Sequence, residues 1–162
     1  MSTLREQIDA ALKEHDEQVM SGGYPSLEGK KFIIATVHDA VDRLLLLAQT
    51  IDSNRHLRKW KDHGRAPDNI LDSLVEWGQP LTRFLWLANL RDKIVDKIEY
   101  THGVNFSGLR IYPQIRNKKD GSLGFLLFFN EHSTKDSVSI SKNGEWMAIP
   151  HEQYLAEYEK TA

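Results

Sequence analysis

The spacing of apolar residues changes at Gly103, and this change constrains the fold more than any other feature of the chain. Before Gly103, apolar residues recur every three or four positions, as they do on one face of an amphipathic helix. After Gly103 they alternate with polar residues, as they do along a strand with one buried face. We therefore predict an α+β fold, in which a helical N-terminal two-thirds is packed with a C-terminal four-stranded antiparallel β-meander and a short closing helix.

The chain has 162 residues, a length typical of one domain with a sizeable core. We predict a single α+β domain over residues 1–162. Its first part, residues 1–23, is an amphipathic helix that could serve as an interaction arm. The rest of the helical part covers residues 30–103, and the meander with its closing helix covers residues 104–162.

The first helix is predicted from Leu4 to Met20. Thr3 and Glu6 have the spacing of a capping box, in which a hydroxyl and a carboxylate bond unpaired backbone amides of the first turn. The pair Gly22-Gly23 is predicted to end the helix, because glycine adopts the left-handed conformation that helix C-termini favour.

The second helical segment, from Lys31 to Asp52, is ambiguous at its start. Lys31 to Val37 alone has the β-branched and aromatic content of a strand. We predict a helix, because the apolar stripe continues without a break through Asp39 to Gln49. The strand stays open as the alternative.

Two further helices are predicted before Gly103. One has Asp68 as its N-cap, and the other runs from Leu81 to His102 and ends at Gly103. Apolar spacing places six residues on the inward face of the longer helix: Leu81, Phe84, Leu85, Ala88, Val95 and Ile98.

Four strands are predicted after Gly103, over Leu109–Arg116, Leu123–Phe129, Ser137–Ser141 and Glu145–Ile149. Pro113 lacks a backbone N–H, which favours an edge position for the first strand. The second strand is apolar on both faces, so we expect it to be covered on both sides. Asn143 and Gly144 have the composition of a type I′ hairpin turn. Pro150 is expected to open the closing helix, which bears Tyr158.

The chain has no cysteine, which excludes disulfides, thiolate nucleophiles and thiolate metal sites. Its N-terminal residues lack the apolar core of a signal peptide, and no apolar run is longer than the five residues Leu44 to Ala48. We therefore expect a cytoplasmic protein with no membrane segment. We predict no cofactor and no metal site.

Residues 53–65, here called the basic segment, carry the strongest local charge. Five cations oppose the single anion Asp62, which gives a local formal charge of +4 in a chain whose total is −2. The cations are Arg55, Arg58, Lys59, Lys61 and Arg65. Such cations bind phosphates or acidic protein surfaces without reading sequence, and Trp60 could stack on a nucleobase. The same charges also suit a solvated helix end, where cations complement the helix dipole.

A second cationic and aromatic face is predicted on the first hairpin of the meander. It comprises Arg110, Tyr112, Arg116, Lys118 and Lys119. From both surfaces we predict a non-enzymatic binding protein that engages an acidic protein surface or nucleic acid, with stoichiometric inhibition of a nucleic-acid-handling protein as one form. A homo-oligomeric structural protein, assembled through the N-terminal helix or the strand containing Pro113, is an alternative.

The basic segment also contains Leu57-Arg58, four further residues, and then His63-Gly64. Arginine and histidine at this spacing before a glycine resemble the active-site motif of HEPN ribonucleases, small helical proteins that cleave RNA without metal. The resemblance implies that Arg58 stabilises phosphate charge and that His63 is the acid–base group that assists attack by the RNA 2′-hydroxyl. It covers about eight residues, and Lys59 stands where the family has a polar residue, commonly asparagine.

Two His-Asp doublets, His15-Asp16 and His38-Asp39, lie on predicted helices. Each resembles one part of the metal site of HD-type phosphohydrolases, and the resemblance is limited to the dipeptide. We predict that both histidines lie in the core or on a second helix face and hold no metal.

Overall fold

The computed structural model describes residues 2–23, 26–55, 72, 85–106, 110–127 and 137–161. Within these ranges the helices are α1 (Leu4–Ser21), α2 (Leu27–Ser53), α3 (Leu85–His102) and α4 (His151–Glu157). The strands are β1 (Val104–Asn105), β2 (Arg110–Ile111), β3 (Gln114–Asn117), β4 (Leu123–Leu126), β5 (Ser137–Lys142), β6 (Glu145–Pro150) and β7 (Tyr158–Lys160). None of the helices in the described ranges is long and apolar enough to cross a membrane.

The predicted α+β fold is confirmed. Helices α1 to α3 precede an antiparallel sheet of five strands in the order β6-β5-β4-β3-β7, and α4 lies between β6 and β7 along the chain. Strands β3 to β6 form the predicted meander, and β7 is a fifth strand that the sequence pattern does not predict. Strands β1 and β2 form a separate antiparallel pair.

The chain divides into two compact units. Among the described residues, unit 1 holds 2–23, 26–47, 72 and 85–98, and unit 2 holds 48–55, 99–106, 110–127 and 137–161. The single-domain organisation and its internal boundaries stay a prediction.

The predicted capping box begins α1. The Thr3 hydroxyl accepts the backbone N–H of Glu6 at 3.2 Å, and the Glu6 carboxylate accepts the N–H of Thr3 at 3.2 Å. The helix stops before Gly22, as predicted, but the backbone there is extended, with φ −79° and ψ 168°. The predicted left-handed cap is therefore wrong. The stripe of α1 is buried, and its members are Ile8, Ala11, Leu12, His15 and Val19.

Helix α2 covers Lys31 to Val37, so the predicted helix is confirmed there and the strand alternative is wrong. Within unit 1, α1 and α2 run antiparallel, because early residues of one contact late residues of the other. The contacts are Arg5 Nη1 to Asp42 at 3.3 Å, His38 Nε2 to Asp16 at 3.0 Å, and Lys30 Nζ to the Met20 carbonyl at 3.0 Å.

The buried face of α3 differs from the prediction. Its buried residues are Leu87, Ile94 and Ile98, of which the sequence pattern predicts Ile98. Leu85 is 59% exposed, while Ala88 and Val95 are half-buried. The other two predicted members, Leu81 and Phe84, lie outside the described residues.

A charged residue explains the wrong face. Leu87, Ile94 and Ile98 keep helical spacing when Arg91 is counted as a member of the same stripe. Arg91 is half-buried and forms ion pairs with Asp72 and Asp92. A search for apolar periodicity does not count arginine as a buried residue. The predicted buried face of α3 is therefore shifted to residues next to the true one.

Two turn predictions are confirmed by backbone angles. Gly103 ends α3 in the left-handed conformation, with φ +66°, and its N–H donates to the Glu99 carbonyl at 2.8 Å. Asn143 and Gly144 join β5 to β6 with φ values of 56° and 77°, as a type I′ turn requires.

The predicted strand Leu109–Arg116 is broken into β2 and β3, and the prediction of an edge position is wrong. Pro113 lies in the break, where its missing N–H costs no ladder bond, and its carbonyl accepts the N–H of Leu126 at 2.9 Å. Strand β3 pairs with β4 on one side and β7 on the other. It therefore offers no open edge for assembly with a second copy.

Tyr158 is placed differently from the prediction as well. It begins β7 opposite Asn117 instead of belonging to the closing helix, and it is buried. On that face of the sheet it packs with Ile115, Val138, Ile140 and Ile149. Tyr112, Phe125 and Leu127 form a second cluster, and Leu126 packs against the first. Strand β4 thus contributes to both clusters, as its two apolar faces predict.

His15 is a polar member of the buried stripe of α1. It is 2% exposed, and both ring nitrogens lack a hydrogen-bond partner. Burial lowers the pKa of His15 to about 4, with nearby Asp16 opposing the decrease and His38 adding to it. A buried neutral imidazole that must be protonated in acid links folding to pH.

We expect the protein to lose stability between about pH 7 and about pH 4, because the unfolded chain protonates His15 near its ordinary pKa of 6.5 while the folded chain keeps it neutral. The lowered folded pKa favours folding above 6.5, and this contribution is lost as the pH falls toward about 4. The expected loss in unfolding free energy is on the order of 3 kcal/mol. Urea unfolding at both pH values would measure it.

His15→Leu should remove this part of the pH dependence and be at least as stable as the parent at pH 7, because two unpaired polar atoms disappear. His151→Leu is the matched control, since His151 is exposed on α4. Equal pH dependence in His15→Leu and the parent would contradict the expectation.

Candidate functional site

The basic segment begins where α2 ends, and three of its residues lie within the described part of the chain. Ser53 is the last residue of α2, and Asn54 and Arg55 form a turn after it. Six predicted site residues lie outside the described residues: Arg58, Lys59, Trp60, Lys61, His63 and Arg65. The resemblance to HEPN ribonucleases depends on Arg58 and His63, so that activity stays a prediction.

The side chain of Arg55 is directed into unit 2 and is 18% exposed. Its Nη1 donates to the Tyr112 carbonyl at 2.7 Å and to the Gly103 carbonyl at 3.4 Å. Its Nη2 donates to the His102 carbonyl and to the Asp52 carboxylate, the latter at 3.3 Å. One guanidinium thus links the end of α2, the end of α3 and the loop that precedes β3.

An aromatic ring completes the surroundings of this guanidinium. The Arg55 Cζ atom lies 4.5 Å from the centre of the Phe125 ring, within the range of a cation–π interaction. A Cβ atom on Gly103 would overlap the same ring, so the left-handed glycine is required by space as well as by its φ. Burial lowers the pKa of Arg55, while the charge and hydrogen bond of Asp52 raise it. The arginine stays protonated because its intrinsic pKa is so high.

Two residues of this cluster are missed by sequence reasoning. Asp52 contacts both Arg55 and the His102 ring, whose Nδ1 lies 3.4 Å from Asp52 Oδ2. The spacing of Asp52 and Arg55 at a helix end is a visible signal for an ion pair. No local signal links either of them to His102, because that contact joins residues far apart in the sequence.

The predicted second face separates into a buried part and an exposed part. Tyr112 is 1% exposed, and its hydroxyl accepts the side-chain N–H of Asn105 at 3.1 Å, so it contributes packing in unit 2. Arg110 belongs to β2. Arg116 is exposed and lies 3.5 Å from the Glu159 carboxylate.

Lys118 and Lys119 are exposed on the tight turn between β3 and β4. The Asn117 side-chain oxygen accepts the backbone N–H of Lys119 at 2.9 Å and that of Asp120 at 3.3 Å. The Lys118 ammonium donates to the Leu155 carbonyl at 3.3 Å. That carbonyl lies in the last turn of α4, where a cation is favoured by the helix dipole. Lys119 forms no side-chain bond to the part of the chain that the structure describes.

The structure therefore sorts the described members of the predicted site into two places. Arg55 and Tyr112 meet in the interior of unit 2. Arg116, Lys118 and Lys119 lie on the β3–β4 hairpin, where the first two already contact groups of the same chain. Their part in binding a partner stays a prediction.

The two His-Asp doublets meet in an unpredicted way. His38 Nε2 lies 3.0 Å and 3.1 Å from the two oxygens of Asp16, which belongs to the other doublet. Across the described ranges, no three histidine, aspartate or glutamate side chains are close enough together to hold a metal ion.

Comparison with protein-family models, with curated proteins and with solved structures found no match to this chain. We therefore infer function from charge, burial and contacts.

Arg55→Met should destabilise the protein by about 2–4 kcal/mol, because three backbone carbonyls and Asp52 lose a charged donor in a half-buried place. Urea unfolding followed by circular dichroism measures this change. Arg43→Met is the matched control, since Arg43 is an exposed arginine of α2 and pairs only with exposed Asp39 among the described residues. Its effect should stay within about 0.5 kcal/mol, and similar losses in both variants would contradict the role given to Arg55.

Proposed function

We propose that this is a non-enzymatic binding protein whose basic segment engages an acidic or phosphate-bearing partner, either nucleic acid or a protein that handles nucleic acid. Stoichiometric inhibition of such a protein is one form of this function. The observation that supports the proposal best is the anchoring of Arg55, from which the rest of the basic segment continues.

The contacts of Arg55 distinguish it from the other four cations of the basic segment. The charge of Arg55 is compensated inside unit 2 by Asp52 and by backbone carbonyls. Four cations remain against Asp62, so the residues that follow carry a formal charge of +3: Arg58, Lys59, Lys61 and Arg65. A high density of positive charge within eight residues attracts phosphates and acidic surfaces and speeds association.

The fixed position of Arg55 also supports binding by this segment. Association costs free energy when chain segments must be ordered at the interface. Because Arg55 is held by several hydrogen bonds, no such cost arises at this end of the segment. In this proposal Arg55 stabilises the fold, and the cations that follow it in the basic segment contact the partner.

The β3–β4 hairpin is a weaker candidate for the same partner. Arg116 is paired with Glu159, and Lys118 is directed to the end of α4. Lys119 remains as the hairpin cation whose side chain makes neither an ion pair nor a hydrogen bond within the described ranges. A single exposed lysine adds little affinity, so we assign the main contact to the basic segment.

We expect the protein to bind a fluorescein-labelled single-stranded RNA, with an affinity that falls roughly 50-fold between about 50 and 200 mM KCl if four cations contact phosphates. Fluorescence anisotropy measures this dependence. Arg58→Glu/Lys61→Glu should weaken binding by at least about tenfold. Lys31→Glu/Arg43→Glu is the matched control, because it changes the net charge equally at exposed positions of α2. Equal losses in the two variants, or binding insensitive to salt, would contradict the proposal for nucleic acid.

Two further measurements separate the related possibilities. Poly-glutamate in place of RNA tests for an acidic protein partner, and binding to it alone would assign the segment to protein recognition. RNA cleavage that is lost in His63→Ala, with RNA binding retained, would replace the non-enzymatic proposal with the ribonuclease alternative.

A further inference from the structure

Unit 1 contains a pocket of about 220 Å³ between α1 and α3. Its floor is formed by Ala11 and His15 of α1 and by Trp86 and Leu90 of α3. The first two are buried and the other two half-buried. The His15 and Trp86 rings lie 5.4 Å apart between centres, with 43° between their planes. The floor is therefore apolar and aromatic on one side and carries an imidazole on the other.

The rim of the pocket is polar and carries both signs of charge. Glu14 and Gln18 project from α1, and Asn89 and Lys93 project from α3. All four are exposed, and none of their side chains bonds to another residue in the described parts of the chain. The opening of the pocket is thus surrounded by four polar groups that do not bond to each other. They are a carboxylate, an ammonium group and two carboxamides.

His15 provides a second, independent observation. Its two ring nitrogens are buried without a hydrogen-bond partner, although the ring lines the pocket. Native proteins pair nearly all of their buried polar groups, and unpaired ones are often found at functional sites. An unpaired imidazole in its lining distinguishes this pocket from an ordinary gap between packed apolar side chains.

We propose that this pocket binds a small zwitterion with an apolar side chain, namely a free α-amino acid such as leucine or phenylalanine. Glu14 receives the α-ammonium group, Lys93 receives the α-carboxylate, and the floor accepts the side chain between Ala11, Trp86 and Leu90. Gln18 and Asn89 supply neutral hydrogen bonds to the same polar groups.

The charges at the rim favour this class over others. A plain anion would be repelled by Glu14 and a plain cation by Lys93, whereas a zwitterion satisfies both. The volume lies below the range of about 300–1,000 Å³ for pockets that hold drug-sized ligands, so a small metabolite is the appropriate size. An aromatic and aliphatic floor under a polar rim is the usual arrangement of such sites.

Isothermal titration calorimetry of the full chain with four probes tests the proposal. Leucine and phenylalanine carry both charged groups and should bind. Leucinamide lacks the carboxylate, and N-acetyl-leucine lacks the ammonium group. Each of the latter two should bind about five- to tenfold more weakly than leucine. They also represent the first and last residues of a peptide, so tighter binding of either would reassign the pocket to a peptide end and overturn the proposal.

Conservative variants make the test specific. Glu14→Gln should weaken leucine and leucinamide by about five- to tenfold and leave N-acetyl-leucine unchanged, while Lys93→Gln should show the opposite pattern between the two analogues. Glu17→Gln and Lys13→Gln are matched controls, because both residues are exposed on α1 and neither lines the pocket. These controls should change affinity by less than about twofold.

A spectroscopic measurement locates the ligand. Leucine should shift the NMR signals of the His15 ring and of the Trp86 indole, and Arg58→Glu/Lys61→Glu should leave this binding unchanged. No binding of leucine or phenylalanine at millimolar concentration, or equal affinity in Glu14→Gln, Lys93→Gln and the parent, would overturn the proposal.

Discussion

The half-buried guanidinium of Arg55 is the interaction that joins the ends of two helices to the residues before β3 in unit 2. It supplies donors to carbonyls at the end of α3 and before β3, and it lies over the Phe125 ring that helps to fill the sheet. Gly103 permits this arrangement, because any side chain there would occupy the place of the ring. One of the five cations of the basic segment is thus used to stabilise the fold, and the proposed binding function depends on the other four.

Both units contain buried polar atoms that lack a hydrogen-bond partner. In unit 2 both Nη atoms of half-buried Arg55 are bonded to backbone carbonyls and to Asp52, while its Nε atom is unpaired. In unit 1 the imidazole of His15 lies in the α1 stripe with neither nitrogen paired, next to a pocket with a charged rim. The first arrangement fixes structure. The unpaired imidazole of His15 lowers the free energy of unfolding and brings no packing advantage over an apolar residue. We therefore connect it with the ligand proposed for the pocket.

Local features of the fold are predictable from the sequence, and long-range ones are not. The Thr3–Glu6 capping box and the Asn143–Gly144 turn depend on residues a few positions apart, so their spacing is sufficient. Strand β7 and the partners of Arg55 depend on residues that meet only in the folded chain. The pocket around His15 cannot be predicted from the sequence for the same reason, since its two walls are separate helices.

Most of the basic segment lies outside the described residues. The charge pattern of the sequence is therefore the main basis for its proposed role.

The pairing of β7 with β3 has a consequence for the nascent chain on the ribosome. The hairpins β3–β4, β4–β5 and β5–β6 can close one after another as they are synthesised, because each joins neighbouring strands. The outer edge of β3 stays uncovered until α4 and Tyr158 have emerged. An open strand edge is a template for pairing with other chains, and β3 presents such an edge only during this interval. Once β7 has paired, β3 lies inside the sheet, and the three-residue strand β7 takes the edge position, where a short strand offers little backbone for such pairing.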